Sequence, residues 1–146
     1  MKTLVLYDSN FGNTKIIAEE IAKNFADDVK VFSAKQFQIP YLNDVELLIV
    51  GSPINGWRPT QAIVELLHSL KDKITPGLKF TTFDTRVKLF IHGDAKNKMA
   101  GILTSLGAKL IAEPQAFYVG GKKGPMLDGE LEKVVKWTEL IKLKLS

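Results

Sequence analysis

The sequence predicts an α/β protein: a doubly wound, five-stranded parallel sheet with helices on both faces. Three observations lead there. Five short strand-like runs recur along the 146 residues, at 2–7, 29–32, 46–51, 78–83 and 108–112. Four stretches among and after them repeat apolar residues at helical spacing. The two patterns alternate with no linker, repeat or low-complexity tract between them, as in sheets whose parallel strands are joined by helical crossovers.

Residues 2–7 hold Leu4, Val5 and Leu6 in a continuous run, the mark of a strand buried on both faces. The period then changes. Ile17, Ile21 and Phe25 recur every four residues beside Ala18 and Ala22, which is an amphipathic helix. Residues 29–32 form a short second strand, followed by a loop containing Pro40. Leu47-Leu48-Ile49-Val50 is a third, buried strand. Ile63, Leu66, Leu67 and Leu70 return to helical spacing, with Pro59-Thr60 as the helix start and Pro76-Gly77 closing the connection. Residues 78–83 are the fourth strand. Met99, Ile102, Leu103 and Leu106 mark the third helix, with Asp94 as its expected N-cap and Gly107 at its C-terminal end. A fifth strand opens at 108–112. The last helix begins near Asp128, with Glu130 and Glu132 in its first turn and Lys142 and Lys144 near its end, matching the helix dipole.

Length and composition fit one domain spanning 1–146, with 45% apolar and 25% charged residues. No apolar run reaches membrane-spanning length, and the N-terminus lacks the features of a signal peptide. Cys is absent, so disulfides, thiolate metal sites and cysteine nucleophiles are excluded, and His68 and His92 form no ligand cluster. A cytoplasmic location is the expectation. The net charge of +4 is uneven, −2 over residues 1–70 and +6 over 71–146. Dispersed lysines read as a solvated surface; gathered on one face, they would steer an acidic partner.

The segment richest in chemistry is Tyr7-Asp8-Ser9-Asn10-Phe11-Gly12-Asn13-Thr14, between the first strand and the first helix. Its small polar residues offer hydroxyl and amide hydrogen bonds without bulk. The helix that follows presents unpaired N–H groups and the positive end of its dipole. Such a start suits a phosphate, and it equally suits an ordinary capped turn. Gly12 lacks partners at dinucleotide-fingerprint spacing, and no Gly-Lys-Ser/Thr follows. Among phosphate ligands, a mononucleotide remains. Neither Ser9 nor Ser52 has a neighbouring His base, and no carboxylate pair or metal-ligand spacing appears.

Ser9-Asn10-Phe11-Gly12-Asn13-Thr14 resembles the phosphate loop of flavodoxins, whose usual form is Ser/Thr-x-Thr-Gly-x-Thr. Phe11 stands where Thr is common and removes one phosphate hydroxyl. Gly51-Ser52-Pro53-Ile54-Asn55-Gly56-Trp57-Arg58 is similar to that family's first flavin-flanking loop, and Phe83-Asp84-Thr85-Arg86 to the start of its second. The C-terminal Ala116-Phe117-Tyr118-Val119, Gly124-Pro125 and Gly129-Glu130 extend the resemblance over nearly the whole chain.

The resemblance implies strand order 2-1-3-4-5, with a crevice at the carboxyl ends of the first and third strands. It implies flavin mononucleotide (FMN) as cofactor. Ser9, Asn10, Phe11, Gly12, Asn13 and Thr14 would form the phosphate loop, and Pro53, Ile54, Asn55, Gly56 and Trp57 the first ring-flanking loop. The backbone of Asp84, Thr85 and Arg86, with the Thr85 side chain, would meet the pyrimidine edge; the alternative is an Asp84–Arg86 surface pair flanking Thr85. Trp57 would be the stacking plate and Trp137 would belong to packing; Phe90 would either cover the other ring face or be buried in its loop, and His92 reads as a solvated loop residue rather than a neighbour of the ring. The Asn55-Gly56 peptide would flip to accept a hydrogen bond from flavin N5, and Arg58 would approach the N1 edge. The function so implied is one-electron transfer between redox proteins, acidic ones if the basic half is the docking face, with no nucleic-acid partner. The alternatives are an FMN-dependent oxidoreductase acting on quinone or protoporphyrinogen, and a flavodoxin-like module without flavin.

Overall fold

Every residue of β1 (Thr3–Tyr7) is buried, which a strand achieves only with a neighbour on each edge and a layer on each face. The computed structural model, which describes residues 1–25, 28–88, 93–121 and 123–146, supplies all four. β2 (Val29–Ser33) and β3 (Leu47–Pro53) flank β1 in parallel, placing Val5 between Val31 and Ile49. β4 (Lys79–Val87) pairs with β3 in parallel and with β5 (Lys109–Leu110) on its other edge, and the order runs β2-β1-β3-β4-β5 as expected.

The pleat sorts apolar residues onto two faces. Leu4, Leu6, Leu48, Val50 and Phe80 pack under α2 (Gln61–Ser69) and α3 (Lys96–Ser105), meeting Ile63, Leu67 and Leu103. Val5, Ile49, Phe83 and Phe117 pack under α1 (Asn13–Lys23) and α4 (Glu130–Leu145), meeting Ile17, Ile21, Val134 and Ile141. Trp137 is a packing residue: its ring meets Phe83 and Phe117 edge-on, and its indole N–H donates to the Glu113 carbonyl at 3.0 Å. Gly51 lies opposite Phe83 in the ladder, and a Cβ there would fall inside the Phe83 ring.

Two elements depart from the sequence reading. The fifth strand position is filled by two pieces, β5 (Lys109–Leu110) and β6 (Gln115–Val119), both parallel to β4. Phe80 pairs with Leu110 and Phe83 with Gln115, so 111–114 carries two residues more than β4 does over the same length. Pro114, lacking an N–H, cannot donate to a ladder, and the chain bulges there. The fourth strand runs on to Val87, past its expected end at Phe83. Three of its extra residues are polar yet buried: Asp84 and Arg86 satisfy each other, and Thr85 pairs with Thr14.

Candidate functional site

A cleft of about 320 Å³ opens at the carboxyl ends of β1, β3 and β4. It lies between β1 and β3, where the chain leaving β1 turns toward β2 on one side and the chain leaving β3 turns toward β4 on the other. Ser9, Asn10, Phe11, Asn13 and Thr14 wall one end, and the loop from Pro53 to Trp57 walls the other. Thr85, Arg86 and Val87 close it from β4, with Gly93 and Val119 completing the lining.

The first wall is an uncapped helix start. Gly12 occupies the N-cap position with φ +94°, a left-handed conformation that glycine adopts without a Cβ penalty. Among the described residues no side chain caps α1, and no acidic residue lies in its first turn. Its leading N–H groups thus keep the donor capacity that a helix start leaves unpaired. Ser9 shapes the loop: its hydroxyl accepts from the Gly12 N–H at 2.9 Å. Thr14 is buried, and its hydroxyl is 2.9 Å from that of Thr85.

The second wall is a tight hairpin turn. Asn55 and Arg58 form an antiparallel bridge, with the Asn55 N–H donating to the Arg58 carbonyl at 2.7 Å. The two residues between them have positive φ, Gly56 at 58° and Trp57 at 72°. Positive φ at both central positions is the type I′ signature. The sequence places the turn's special conformation on Asn55 and Gly56; the structure places it one residue later. A left-handed tryptophan costs about 1–2 kcal/mol in local sterics, so tertiary contacts must hold it. They do. The Trp57 carbonyl accepts from the Asp94 N–H and from Lys98 Nζ, each at 3.1 Å. Gly93 sits against the Trp57 backbone so closely that any Cβ would collide with it. Trp57 is 59% exposed at the mouth of the cleft, more than any other aromatic residue among those described.

The third wall separates its side chains by pleat. Thr85 turns toward α1, while Asp84 and Arg86 turn toward α3. Asp84 is fully buried and does not line the cleft. Its carboxylate accepts from Arg86 Nε at 2.9 Å and Nη2 at 2.5 Å, and from the backbone N–H of Ala95 and Lys96 at 3.3 and 3.0 Å. Asp84 thus neutralises a buried arginine and caps the start of α3 from a different strand. Arg86 reaches the cleft wall while bridging to Asp94 at 3.4 Å. Burial alone would lower its pKa; hydrogen bonding and charge from Asp84, then the charge of Asp94, outweigh that and raise it. It stays cationic. Asp94, the expected cap of α3, accepts from the Asn97 N–H at 3.3 Å but stands one residue before the N-cap, Ala95.

Of the other expected residues, Gly12 shapes the loop without lining the cleft. Arg58 is exposed and lines a shallow depression with Pro59, Val64 and Ile102, on the far side of the turn from the cleft. Phe90 and His92 lie outside the described residues. Gly93, Val87 and Val119 line the cleft unforeseen; for Gly93 the only sequence signal is a glycine between the fourth strand and third helix. Among the described residues no group of acidic, His or Cys side chains could hold a metal ion, and no helix is long and apolar enough to cross a membrane.

Comparisons with known proteins agree on the architecture. A flavodoxin-domain family model matches residues 4–103. No curated protein sequence matches the chain significantly. Among solved structures, oxidised flavodoxin 1 from Bacillus cereus superposes with a TM-score of 0.84 at 18% identity, covering 100% of both chains. A flavodoxin from the domain Archaea gives 0.78 at 21% identity, covering 97% of this chain and 99% of that one. The rubredoxin oxygen:oxidoreductase of Desulfovibrio gigas gives 0.79 at 22% identity, over 99% of this chain but only 37% of the enzyme. At these identities the superpositions speak for the fold, and the family model, covering more than half of the chain, for descent: this protein belongs to the flavodoxin-domain family.

Proposed function

We propose that the chain binds FMN in this cleft and carries single electrons between redox proteins. The supporting observation is the pairing of an uncapped α1 start with an exposed, backbone-clamped Trp57 in one cleft of about 320 Å³. That volume is within the range of small-molecule sites, about 300–1,000 Å³.

The residues present fit the group. The N–H groups of the first turn of α1 and the side chains of Asn10 and Asn13 face the phosphate end. Trp57 offers a flat apolar plate, with Pro53 and Ile54 beneath it. The Asn55-to-Arg58 turn brings backbone polar groups to the polar edge of the ring. Arg86 and the Thr14–Thr85 pair fix the floor between the two ends. The flavin itself supplies the one-electron chemistry, and the protein contributes binding, orientation and water exclusion. Redox proteins are the partners this reading requires, and the cytoplasm is its expected setting.

The test is direct. Purified protein titrated with FMN should develop a perturbed flavin absorption band and quench flavin emission, and riboflavin should bind far more weakly because it offers no phosphate to the α1 start. Equal affinity for the two would overturn the assignment of the phosphate end. No binding of either would overturn the function.

A further inference from the structure

We propose that Lys123 is a phosphate-recognition residue, brought to the start of α1 by the loop after β6. The inference rests on the FMN reading and extends it to a residue that lies outside the three cleft loops.

The phosphate loop contains no cation of its own, although a phosphate monoester carries close to two negative charges. The chain supplies one from elsewhere. After β6 the backbone doubles back between Val119 and Met126, held by Gly120 N–H to Pro125 carbonyl at 2.8 Å and Gly124 N–H to Gly121 carbonyl at 2.9 Å. Gly124 seats this loop on the first residue of α1: at φ +99°, a Cβ there would fall 2.7 Å from Asn13 Oδ1. Only glycine allows so close an approach. The preceding residue, Lys123, is exposed, and its Nζ lies 5.9 Å from the Phe11 ring centre, within cation–π range.

Phe11 is therefore more than a missing hydroxyl. It is 45% exposed beside the phosphate end and provides a resting plate for a lysine. An aromatic face holds an ammonium without neutralising it, whereas a carboxylate would cancel the charge. Lys123 has no carboxylate partner within ion-pair distance among the described residues. Where a hydroxyl would donate one neutral hydrogen bond, the Phe11–Lys123 pair offers a full charge that moves from ring to phosphate when the ligand arrives.

The experiment measures FMN and riboflavin affinities by fluorescence, from low to high salt, for wild type, Lys123→Gln and Phe11→Thr. Lys123→Gln should weaken FMN about fivefold at low salt, as loss of an exposed ion pair would. Riboflavin should be unaffected, and the wild-type salt dependence of FMN binding should flatten. Phe11→Thr should lower FMN affinity less and keep the salt dependence, because the charge remains. Inorganic phosphate, followed through the amide resonances of Asn13, Thr14 and Lys15 without flavin, should bind more weakly to Lys123→Gln. Tight FMN binding with the same salt slope in wild type and Lys123→Gln would overturn the role of Lys123 and leave the FMN reading intact. Failure of wild type to bind either flavin would overturn both.

Discussion

The hydroxyls of Thr14 and Thr85 lie 2.9 Å apart, tying the first turn of α1 to the end of β4 under the cleft. Both residues are buried, at 1% and 5% exposure, so each hydroxyl relies on the other. The contact couples the α1 end of the cleft to its floor.

Replacing either threonine by valine should therefore cost about 1–3 kcal/mol, since the remaining hydroxyl is left buried and unsatisfied. The double replacement should cost clearly less than the sum. Urea denaturation of the four proteins measures this coupling, and strict additivity would show that the hydroxyls find other partners.

Trp57→Ala should weaken FMN binding by about 1–3 kcal/mol, the range of base–aromatic stacking, and leave the bound flavin brighter. Because the indole is exposed and its backbone is clamped independently, the fold should be undisturbed. Circular dichroism and flavin titration separate the two effects. Unchanged quenching would place the stacking role on another residue.

The turn predicts how reduction proceeds. Its two ends are fixed by the Asn55–Arg58 bridge, leaving the Gly56–Trp57 peptide at its centre to rotate. Such a rotation takes a type I′ turn to type II′, moving Trp57 from φ 72° to negative φ and keeping Gly56 where only glycine is at ease. The relieved strain at Trp57 offsets part of the cost. With this turn geometry, the flip that the family resemblance implies at Asn55-Gly56 would fall one peptide later. FMN-loaded protein should reduce in two separable one-electron steps, and Gly56→Ala should bring the two midpoints together. Spectra during an anaerobic redox titration report both. A single two-electron step in wild type would falsify the carrier reading and favour the quinone or protoporphyrinogen oxidoreductase.

Asp84→Ala should be among the most destabilising single changes, by about 3–5 kcal/mol, because it strands the buried Arg86 guanidinium. It also removes the carboxylate that receives the Ala95 and Lys96 N–H groups. Denaturant unfolding gives the loss. A decrease under 1 kcal/mol, the usual scale of exposed pairs, would mean that water reaches Arg86.

Much of this was legible in sequence because it is written in local patterns. The continuous run Leu4-Val5-Leu6 needs burial on both faces, and the four-residue spacing of Ile17 and Ile21 needs a helix packed on one. Thr60 caps α2 through the Ile63 N–H, as its place before an apolar period suggests. What escaped is long-range. Asp84-Thr85-Arg86 reads as the polar end of a strand, since nothing local says that two opposite charges will neutralise one another inside the core. Asp84 shares the leading N–H groups of α3 with Asp94, taking those of Ala95 and Lys96 from a strand more than ten residues away while Asp94 takes that of Asn97. The left-handed Trp57 is hidden for the same reason: propensity gives it to the neighbouring glycine and asparagine, and it is held by Gly93, Asp94 and Lys98, some forty residues on. Pro114 was visible, but not the two-residue bulge it permits.

The clamp on Trp57 also bears on how the cleft can be borrowed for protein engineering. The turn from Asn55 to Arg58 is a short, contiguous cassette, and it invites transplantation. Its geometry, though, is held by the Asp94 N–H, by Lys98 and by Gly93, and Asp94 is itself moored to β4 through Arg86. Moved alone, the cassette would relax to negative φ at Trp57 and turn its ring away. The portable unit is discontinuous: a hairpin tip, the opening turn of one helix and the end of one strand, which must travel together.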